Sequence, residues 1–442
     1  MKTVWEEFGF SGNPYFTTPL EVNERHYQLF TAREKESAAF LTMMDATDGA
    51  FVVVSGDIGI GKTSFVNAQQ HLLASGKAGW GQTLVPCVRA TTLQSNETAT
   101  ALAQRIVHDA VQNIVAYCRN NRKAVPKECA VVRDWLSYKP SRTGYQLTLG
   151  PIGVGVSTFL PPVADATILT WRDILEVLAD QVREELDAAG LIVFLDNAET
   201  LPVSALAALL MDYRDHFLSI KGVWWVLIGQ TGLYKRLDSI DRRVSQRISG
   251  RGVELSHLSA DAFHEAIRRR VQAFRKRDDA DSPLSLPIHD LLFQASYGEV
   301  RFVFDVGNSL VQRIIEEIRV AVAGELRDVV SPVVLQRELN RALMAALIDN
   351  RIPDDLAKSV LARIADEHMS DQSDQVRRRL GMFGTDRVSR NDFARFGFQT
   401  PDDFEAECER LRHDGFLGRT PGITDHHYSL KGYAWLWRNL LQ

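Results

Sequence analysis

Short apolar segments recur along the first half of the chain, separated by stretches with helical periodicity. The apolar segments, each of strand length, are FVVVS (51–55), TLVPCVRA (83–90), LIVFLD (191–196), VWWVLIGQ (223–230) and GVELSHL (252–258). The helical stretches are 31–44, 62–73, 96–121, 170–186 and 202–219, the first with Thr31 and Glu34 at capping-box spacing. Because apolar strands that alternate with helices are typical of a parallel sheet covered on both faces, the pattern predicts an α/β fold.

One segment interrupts this alternation. GYQLTLGPIGVGVSTFLPP (144–162) alternates apolar with small or polar residues on both sides of a Gly-Pro pair, which predicts a β-hairpin. Its position makes it an insertion in the α/β pattern. Either it extends or covers the edge of the sheet, or it is a functional arm.

The chain becomes helical after Ser259 and changes character again near residue 351. The predicted helices are 260–277, 287–295, 299–320, 331–349, 353–368, 371–381, 389–396 and 401–414. Two extended pieces around a Pro-Gly turn follow in GFLGRTPGITDHHYSL, and KGYAWLWRNLL predicts a last helix. Helices followed by a terminal hairpin predict a winged helix. The predicted domains are an α/β core at 1–258, a helical lid at 259–350 and a winged-helix-like domain at 351–442.

A phosphate-binding loop is predicted at GDIGIGKT (56–63), which lies between a strand and a helix and matches G-x-x-x-x-G-K-[ST]. Its glycines let main-chain N–H groups point inward, where they and the helix N-terminus bind phosphates. Lys62 would contact the β- and γ-phosphates, and the Thr63 hydroxyl would ligate Mg²⁺. The predicted cofactors are ATP and Mg²⁺. The predicted nucleotide-binding residues are Gly56, Asp57, Ile58, Gly59, Ile60, Gly61, Lys62, Thr63 and Ser64.

Two other strands end in polar residues. Asp196 is predicted to be the second Mg²⁺ anchor, with a helix N-cap as the alternative, and Gln230 would lie beside the γ-phosphate. Asp196 is followed by Asn197, which can orient a water but cannot accept its proton. We therefore predict slow hydrolysis, with Glu199 as a candidate base because the chain leaves the strand there.

Composition narrows the range of functions. The formal net charge of −5 excludes a uniformly basic nucleic-acid coat but not a local basic patch. Four cysteines without C-x-x-C spacing indicate neither a zinc site nor a disulfide framework. The start of the chain lacks the apolar run of a signal peptide, and the longest apolar stretches are too short to span a membrane. We expect a cytoplasmic protein with no membrane partner.

The order of a P-loop, an Asp-ended strand, a Gln-ended strand and an Arg-rich segment resembles the AAA+ ATPases. VLIGQTGLYKRLDSIDRRVSQRISGRGVELSHLS (226–259) resembles the sensor-1 and arginine-finger region of ExeA/TniB-type members, bacterial relatives of the origin-recognition initiator clade. FGFSGNPYFTTPL and TARE resemble the N-terminal boxes of such ATPases. The resemblance covers about residues 7–320 and implies a P-loop core with a helical lid.

This resemblance also implies roles for individual residues. Gln230 would be sensor 1, and Arg247, with Arg243 as runner-up, would be an arginine finger that acts on a neighbouring subunit of a homo-oligomer. Arg301, in the first turn of the helix after Gly298, would be sensor 2. The alternatives are a solvated basic face around Arg247 and an ordinary salt-bridging arginine at position 301.

The implied function is an oligomeric ATP-dependent switch that acts on or near DNA. Protein contact is an equal alternative for the C-terminal domain, because its predicted recognition helix, 400–416, begins with carboxylates that would repel phosphates. The basic candidates for DNA contact are Arg377, Arg378, Arg379, Arg390, Arg395 and Arg419. A competing class is a STAND-like signalling NTPase, for instance in phage defence, that controls a partner effector, nuclease or recombinase; the insertion at 144–162 resembles the hairpins of that class. A third possibility is a scaffold that binds ATP without turnover.

Overall fold

The computed structural model describes residues 4–7, 9–45, 48–137, 145–149, 156–278, 280, 282–322, 340–346, 348, 354–368, 378–379, 388–421 and 426–441. The chain divides into two compact units. The first, here called the sheet unit, comprises Pro19–Ile58 and Lys62–Leu255. The second, here called the helical unit, comprises Met1–Thr18, Gly59–Gly61 and Ser256–Gln442.

A parallel sheet forms the centre of the sheet unit. The strands of this unit are β1 (Phe51–Ser55), β2 (Leu84–Val85), β3 (Thr91–Thr92), β4 (Gln146–Leu149), β5 (Val156–Phe159), β6 (Gly190–Asp196), β7 (Val223–Gly229) and β8 (Val253–Glu254). Their order in the parallel sheet is β2-β6-β7-β1-β8, and β3 also pairs with β6. Every residue of β1 and β7 is buried, as expected for a parallel sheet between layers of helices. The residues that follow β1, β7 and β6 therefore meet at one edge of the sheet.

Helices cover this sheet as the periodicity predicts. They are Glu24–Tyr27, Glu34–Met44, Lys62–Ala74, Ala99–Asn120, Lys127–Leu136, Ile168–Glu185, Val203–His216, Leu233–Ile240 and Arg242–Ser245, with 3-10 turns at Val163–Asp165 and Ala198–Thr200. The long helices are amphipathic: Ala99–Asn120 buries Leu102, Ile106 and Val111 among other apolar side chains. The helices from Glu24, Lys127, Leu233 and Arg242 were not predicted.

Three local predictions in this unit are wrong, among them the strand expected at 252–258, of which only β8 (Val253–Glu254) forms. The first long helix begins at Glu34 with Arg33 at its N-cap and no side-chain cap, because Ala32 takes a left-handed conformation (φ 60°) that separates Thr31 from the helix. The strand expected at 83–90 is only the two residues of β2. Pro86 follows it directly, and proline has no N–H to donate to a strand ladder.

The predicted hairpin is present in its two arms. Strands β4 and β5 pair antiparallel, with Gln146 opposite Phe159 and Leu149 opposite Val156. The connection at 150–155 lies outside the described residues, as does 138–144. Leu147 is buried in the core that also contains Trp135 and Trp171, whose ring centroids lie 5.1 Å apart. Strands β4 and β5 form a sheet of their own and do not extend the parallel sheet, and the burial of Leu147 favours a structural cover over a functional arm.

The helical unit is built around a second apolar core. Its helices are Val4–Glu7, Ala260–Phe274, Leu286–Ala295, Val300–Val322, Asp355–His368, Pro401–His413 and Gly432–Leu441, with a 3-10 helix at Arg390–Phe396. Strands β9 (Val388–Ser389), β10 (Leu417–Pro421) and β11 (His426–Leu430) form an antiparallel sheet in the order β10-β11-β9. A hairpin after Pro401–His413 and a closing helix match the predicted order of a winged helix. Most of the helices expected at 331–349 and 371–381 lies outside the described residues.

The described helices give no candidate membrane span: none of them combines the length and the apolar character that a crossing requires.

Candidate functional site

The loop between β1 and the helix Lys62–Ala74 has the backbone geometry of a phosphate cradle. Gly59 and Gly61 have φ values of +72° and +97°, a region that residues with a side chain rarely adopt. The Lys62 side chain is buried, and its Nζ donates to the carbonyl oxygens of Gly56 at 2.9 Å and Asp57 at 3.0 Å. The ammonium group is therefore held inside the loop, where a polyphosphate would replace these carbonyl contacts.

Oxygen atoms suited to Mg²⁺ lie beside the same loop. The Thr63 hydroxyl donates to Asp196 Oδ2 at 3.2 Å, and Asp196 Oδ1 accepts from the Asn197 N–H at 2.8 Å. The Leu93 N–H donates to the Asp196 carbonyl oxygen at 2.9 Å and fixes the end of β6. A hydroxyl and a carboxylate in contact are hard oxygen ligands of the kind Mg²⁺ prefers, so these residues fit the metal.

Directly after Asp196 the chain leaves the strand through a left-handed residue. Asn197 has φ 61° and ψ 44°, and Glu199 lies in the 3-10 turn Ala198–Thr200. Asn197, not Asp196, takes the N-cap position of this turn. The side chains of Asn197 and Glu199 are both exposed. Neither forms a hydrogen bond or an ion pair with any residue that the structure describes, so both are free to turn toward a bound nucleotide.

The loop is also tied to the strand that precedes Gln230. Ser55 pairs with Gly229 in the β1–β7 register, so the next residues of each strand run side by side. Two positions further on, the Thr231 hydroxyl donates to Asp57 Oδ1 at 2.6 Å. Thr231 was not predicted from the sequence; extending the strand register two residues past both strand ends would have found this pair.

The two candidate arginine fingers differ in what they contact. Arg243 donates to Asp241 through Nε at 3.1 Å and Nη2 at 2.8 Å, and this hydrogen bonding holds the pKa of the Asp241 carboxyl below its usual range. Arg247 is exposed, and its side chain has no hydrogen-bond or ion-pair partner among the described residues. Arg247 is therefore free to reach another molecule, whereas Arg243 must first leave Asp241.

In the helical unit, Arg301 lies in the first turn of the helix Val300–Val322, after Gly298 with φ +81°. Its main-chain N–H donates to the Gly59 carbonyl oxygen at 3.3 Å within the same unit. The Arg301 side chain is exposed and, over the described part of the chain, has no salt bridge.

A chain of buried polar groups fixes the helix that follows the loop. The Ser64 hydroxyl accepts from the Leu20 N–H at 3.0 Å, and Asn67 Nδ2 donates to the Leu20 carbonyl oxygen at 2.8 Å. Gln70 Nε2 donates to Asn67 Oδ1 at 3.2 Å, and Gln70 Oε1 accepts from the Cys87 N–H at 2.6 Å. The Ser64 hydroxyl is thus engaged with the N-terminal segment, while its main-chain N–H remains at the helix N-terminus.

The basic candidates for DNA contact in the C-terminal part of the helical unit are paired or buried. Arg378 is fully buried, donates to the Gln294 carbonyl oxygen at 3.0 Å and lies 3.7 Å from the Trp435 ring centroid. Arg377 lies outside the described residues. The remaining pairs are Arg379 with Asp290, Arg390 with Asp402, Arg395 with Asp392 and Arg419 with Glu409, at 2.5 to 3.3 Å. The helix Pro401–His413 itself carries five carboxylates, Asp402, Asp403, Glu405, Glu407 and Glu409, against Arg410 and Arg412.

Comparison with known proteins gives a family match for the sheet unit. Residues 45–237 match the family model of the AAA domain, which confirms the predicted AAA ATPase fold for this segment. The matched segment contains the loop, Asp196 and Gln230 and ends before Arg247. A search of curated proteins finds no match to the chain.

Solved structures to which the chain is similar include three archaeal proteins. The ORC2 protein of Aeropyrum pernix, in ADPNP–ADP complexes, is 14% identical, with 98% of this chain and 99% of that chain covered and a TM-score of 0.47. The ORC1 protein of the same organism, in complex with DNA, is 15% identical, with 100% and 97% covered and a TM-score of 0.45. Cdc6p from Pyrobaculum aerophilum is 13% identical, with 98% of each chain covered and a TM-score of 0.43. At these values none of the three carries an argument about the ligands or partners of this chain.

Proposed function

We propose that this chain, whose residues 45–237 match the AAA domain family, is an oligomeric Mg²⁺- and ATP-dependent switch of origin-recognition or ExeA/TniB type that hydrolyses ATP slowly and acts on or near DNA. One observation carries the proposal. The Lys62 ammonium is buried inside the glycine loop, and the Thr63 hydroxyl lies 3.2 Å from the Asp196 carboxylate at the same edge of the sheet. A cation, a hydroxyl and a carboxylate in this arrangement are the groups that bind a nucleoside triphosphate with its metal ion.

The residues divide the work of binding and hydrolysis. Main-chain N–H groups of the loop and the Lys62 ammonium bind the phosphates. Thr63 and Asp196 would hold Mg²⁺, which when bound neutralises charge on the phosphate oxygens. Gln230 and Asn197 orient the attacking water, and Glu199 is the candidate group to accept its proton. Arg247 reaches the γ-phosphate of a neighbouring subunit, which makes hydrolysis depend on assembly.

Slow hydrolysis follows from the residue after the metal-binding aspartate. An amide at position 197 can donate and accept hydrogen bonds, but it supplies neither a proton acceptor nor negative charge beside the water. The bound nucleotide then persists long enough to report its state to a partner. The chain would act as a switch whose conformation follows ATP, with hydrolysis as the reset.

A second candidate function is a signalling NTPase whose nucleotide state controls a partner effector protein. The observation that favours it is the charge of the C-terminal domain. Its candidate DNA-binding arginines face carboxylates, and the helix Pro401–His413 begins with Asp402 and Asp403. Such a surface repels a phosphate backbone and suits contact with a protein.

An ATPase assay with and without duplex DNA tests the proposal and separates the two functions. Lys62→Ala should abolish nucleotide binding and turnover, whereas Lys77→Ala, which removes an exposed lysine paired with Glu24, should leave both at the wild-type level. Stimulation by DNA supports the first function, and stimulation only by another protein supports the second. If Lys62→Ala binds and hydrolyses ATP like the wild type, the proposed site is wrong. If the wild type retains ATP and never hydrolyses it, the protein is a scaffold.

A further inference from the structure

A set of contacts inside the helical unit joins the C-terminal hairpin to the turn that precedes Arg301. Lys431 Nζ donates to Glu299 Oε2 at 2.7 Å, and the two side chains are only 24% and 23% exposed. The rings of Phe302 and Tyr433 meet edge to face with centroids 5.5 Å apart. Lys431 follows β11 directly, and Tyr433 lies in the first turn of the helix Gly432–Leu441.

The backbones also approach closely at this contact. A Cβ added to Gly418 of β10 would lie 2.7 Å from the Tyr297 ring, closer than real Cβ atoms approach. A Cβ on Gly432 would lie 2.8 Å from the Gly415 carbonyl oxygen and 3.4 Å from the Phe302 ring. Glycine at both positions lets the hairpin lie directly against the turn.

That turn has a costly conformation. Tyr297 takes a left-handed backbone (φ 53°), which is uncommon for a residue with a bulky side chain, and Gly298 follows with φ +81°. A Cβ on Gly298 would lie 2.3 Å from the His257 ring, so this position also requires glycine. Strained turns persist where their surroundings hold them. Here the surroundings include the hairpin, through Gly418 and Lys431.

The same turn reaches the glycine loop within this unit. The Arg301 N–H donates to the Gly59 carbonyl oxygen at 3.3 Å, and a Cβ on Gly59 would lie 2.2 Å from Glu299 Cγ. Glu299 therefore touches Lys431 of the C-terminal domain on one side and Gly59 of the phosphate-binding loop on the other.

We propose that the Glu299–Lys431 pair is a positioning contact through which the C-terminal hairpin sets the affinity of the nucleotide site. Lys431 neutralises and holds the Glu299 carboxylate, and the carboxylate in turn fixes the turn that places Arg301 and Gly59. When the pair is broken, an uncompensated negative charge stays beside the loop and opposes the binding of a polyphosphate. By linkage, a ligand of the hairpin that separates the pair weakens nucleotide binding, and bound nucleotide strengthens the pair. This inference rests on the proposed nucleotide site and adds its regulation.

Titration of the full-length protein with fluorescent mant-ATP and mant-ADP tests the coupling. Lys431→Met keeps the aliphatic stem and removes the charge, and we expect its ATP affinity to fall about 3- to 10-fold, as for the loss of one partly buried ion pair. ADP affinity should fall less, because ADP carries less charge near the loop. Arg412→Met is the matched control. It breaks an ion pair with Glu409 that involves neither Glu299 nor Lys431, while Glu409 keeps its contacts with Arg419 and Tyr428 of the hairpin, and it should bind both nucleotides like the wild type.

A variant with the two charges swapped and a hydrogen-exchange measurement distinguish loss of the coupling from damage to the fold. Glu299→Lys combined with Lys431→Glu should recover part of the lost ATP affinity, which a merely unfolded domain would not do. Hydrogen exchange of the amides of residues 426–433 should slow when ATP binds to the wild type and remain unchanged in Lys431→Met. Equal ATP affinity of Lys431→Met and wild type, or no effect of ATP on that exchange in the wild type, overturns the coupling alone. A wild type that binds no nucleotide overturns the proposed function instead.

Discussion

Position 197 combines a left-handed backbone with a side chain that cannot accept a proton. Asparagine is among the few residues that tolerate a left-handed conformation, and Asn197 has φ 61°. Glutamate in this left-handed conformation would cost roughly 1 kcal/mol in backbone strain. The geometry of the turn therefore disfavours a glutamate base at position 197. The absence of a proton-accepting side chain at position 197 was predicted from the sequence, because it depends only on the identity of the residue. The sequence could not predict the left-handed turn, which depends on the path the chain takes after the strand.

Glu199→Ala is expected to lower ATP turnover by about 10- to 100-fold while leaving ATP affinity unchanged, because the site would lose the carboxylate predicted to accept the proton of the water. Glu184→Ala, at an exposed glutamate of the helix Ile168–Glu185, is the control and should keep wild-type turnover. Single-turnover phosphate release measures both. Unchanged turnover in Glu199→Ala would show that no base has moved to this position.

Arg247→Ala is expected to lower turnover of the assembled protein by about 100-fold or more, since an arginine supplied to a neighbour stabilises the charge of the transition state. Arg243→Ala should have a much smaller effect, because its guanidinium is held by Asp241. The decisive measurement is the ATP turnover of a mixture of two variants. Lys62→Ala subunits are expected to bind no nucleotide but still carry Arg247, so adding them to Arg247→Ala subunits should restore part of the turnover. No recovery on mixing would argue against action between subunits.

Hydrophobic periodicity predicted the strands and helices that depend on a local pattern of residues. It missed buried polar residues whose hydrogen-bond partners are distant in sequence. The strands β1, β6 and β7 and the helix from Lys62 follow from apolar runs and the glycine motif. The buried face of that helix is partly polar, with Gln69 and Gln70 fully buried. A pattern of apolar positions places such residues at the surface, because their hydrogen-bond partners, Ser37 and Cys87, are distant in sequence.

Gln70→Leu is expected to destabilise the protein by about 2 kcal/mol, because it leaves the Cys87 N–H and Asn67 Oδ1 buried without their partner. Chemical denaturation followed by fluorescence measures the change in the free energy of unfolding. Gln82→Leu, at an exposed glutamine, is the control and should shift that free energy by less than about 0.5 kcal/mol. A Gln70→Leu variant as stable as the wild type would mean that the polar chain adds nothing to stability.

The helix Leu286–Ala295 carries a buried titratable group whose effect on stability has a definite sign. Burial and the neighbouring His264 lower the pKa of His289 from 6.5 to about 3, and its Nε2 lies 2.8 Å from the Tyr15 hydroxyl. Below pH 6.5 the unfolded chain binds a proton at His289 that the folded chain does not, so stability is lost as the pH falls toward 3. His289→Gln should reduce the drop in melting temperature between about pH 7.5 and about pH 5.5, the interval in which an ordinary histidine gains its proton. The exposed control His413→Gln should keep the wild-type drop, and an equal drop in all three proteins would contradict the assignment.

For the whole molecule, function depends on which charges remain available to a partner. The sequence could list the arginines but not their partners, because pairs such as Arg390 with Asp402 and Arg379 with Asp290 form between separate elements. Exposed pairs are weak, yet each paired carboxylate offsets the field that would attract a phosphate. Arg242 and Arg251 of the sheet unit are exposed, and their side chains have no ion-pair partner in the part of the chain that the structure describes.

If the protein binds duplex DNA, the unpaired arginines should account for the salt dependence of that binding. Removing one arginine that binds a phosphate lowers the slope of log affinity against log salt by about 0.9, because one fewer counterion is released. We expect the double variant Arg242→Ala with Arg251→Ala to lower the slope by about 1.8. The matched double variant Arg390→Ala with Arg419→Ala should leave it unchanged, since both side chains already face carboxylates. Fluorescence anisotropy over a range of salt concentrations measures the slopes. If the Arg390→Ala, Arg419→Ala variant lowered the slope more than the Arg242→Ala, Arg251→Ala variant, DNA would bind at the C-terminal part of the helical unit. The charge of that surface would then no longer favour a protein partner.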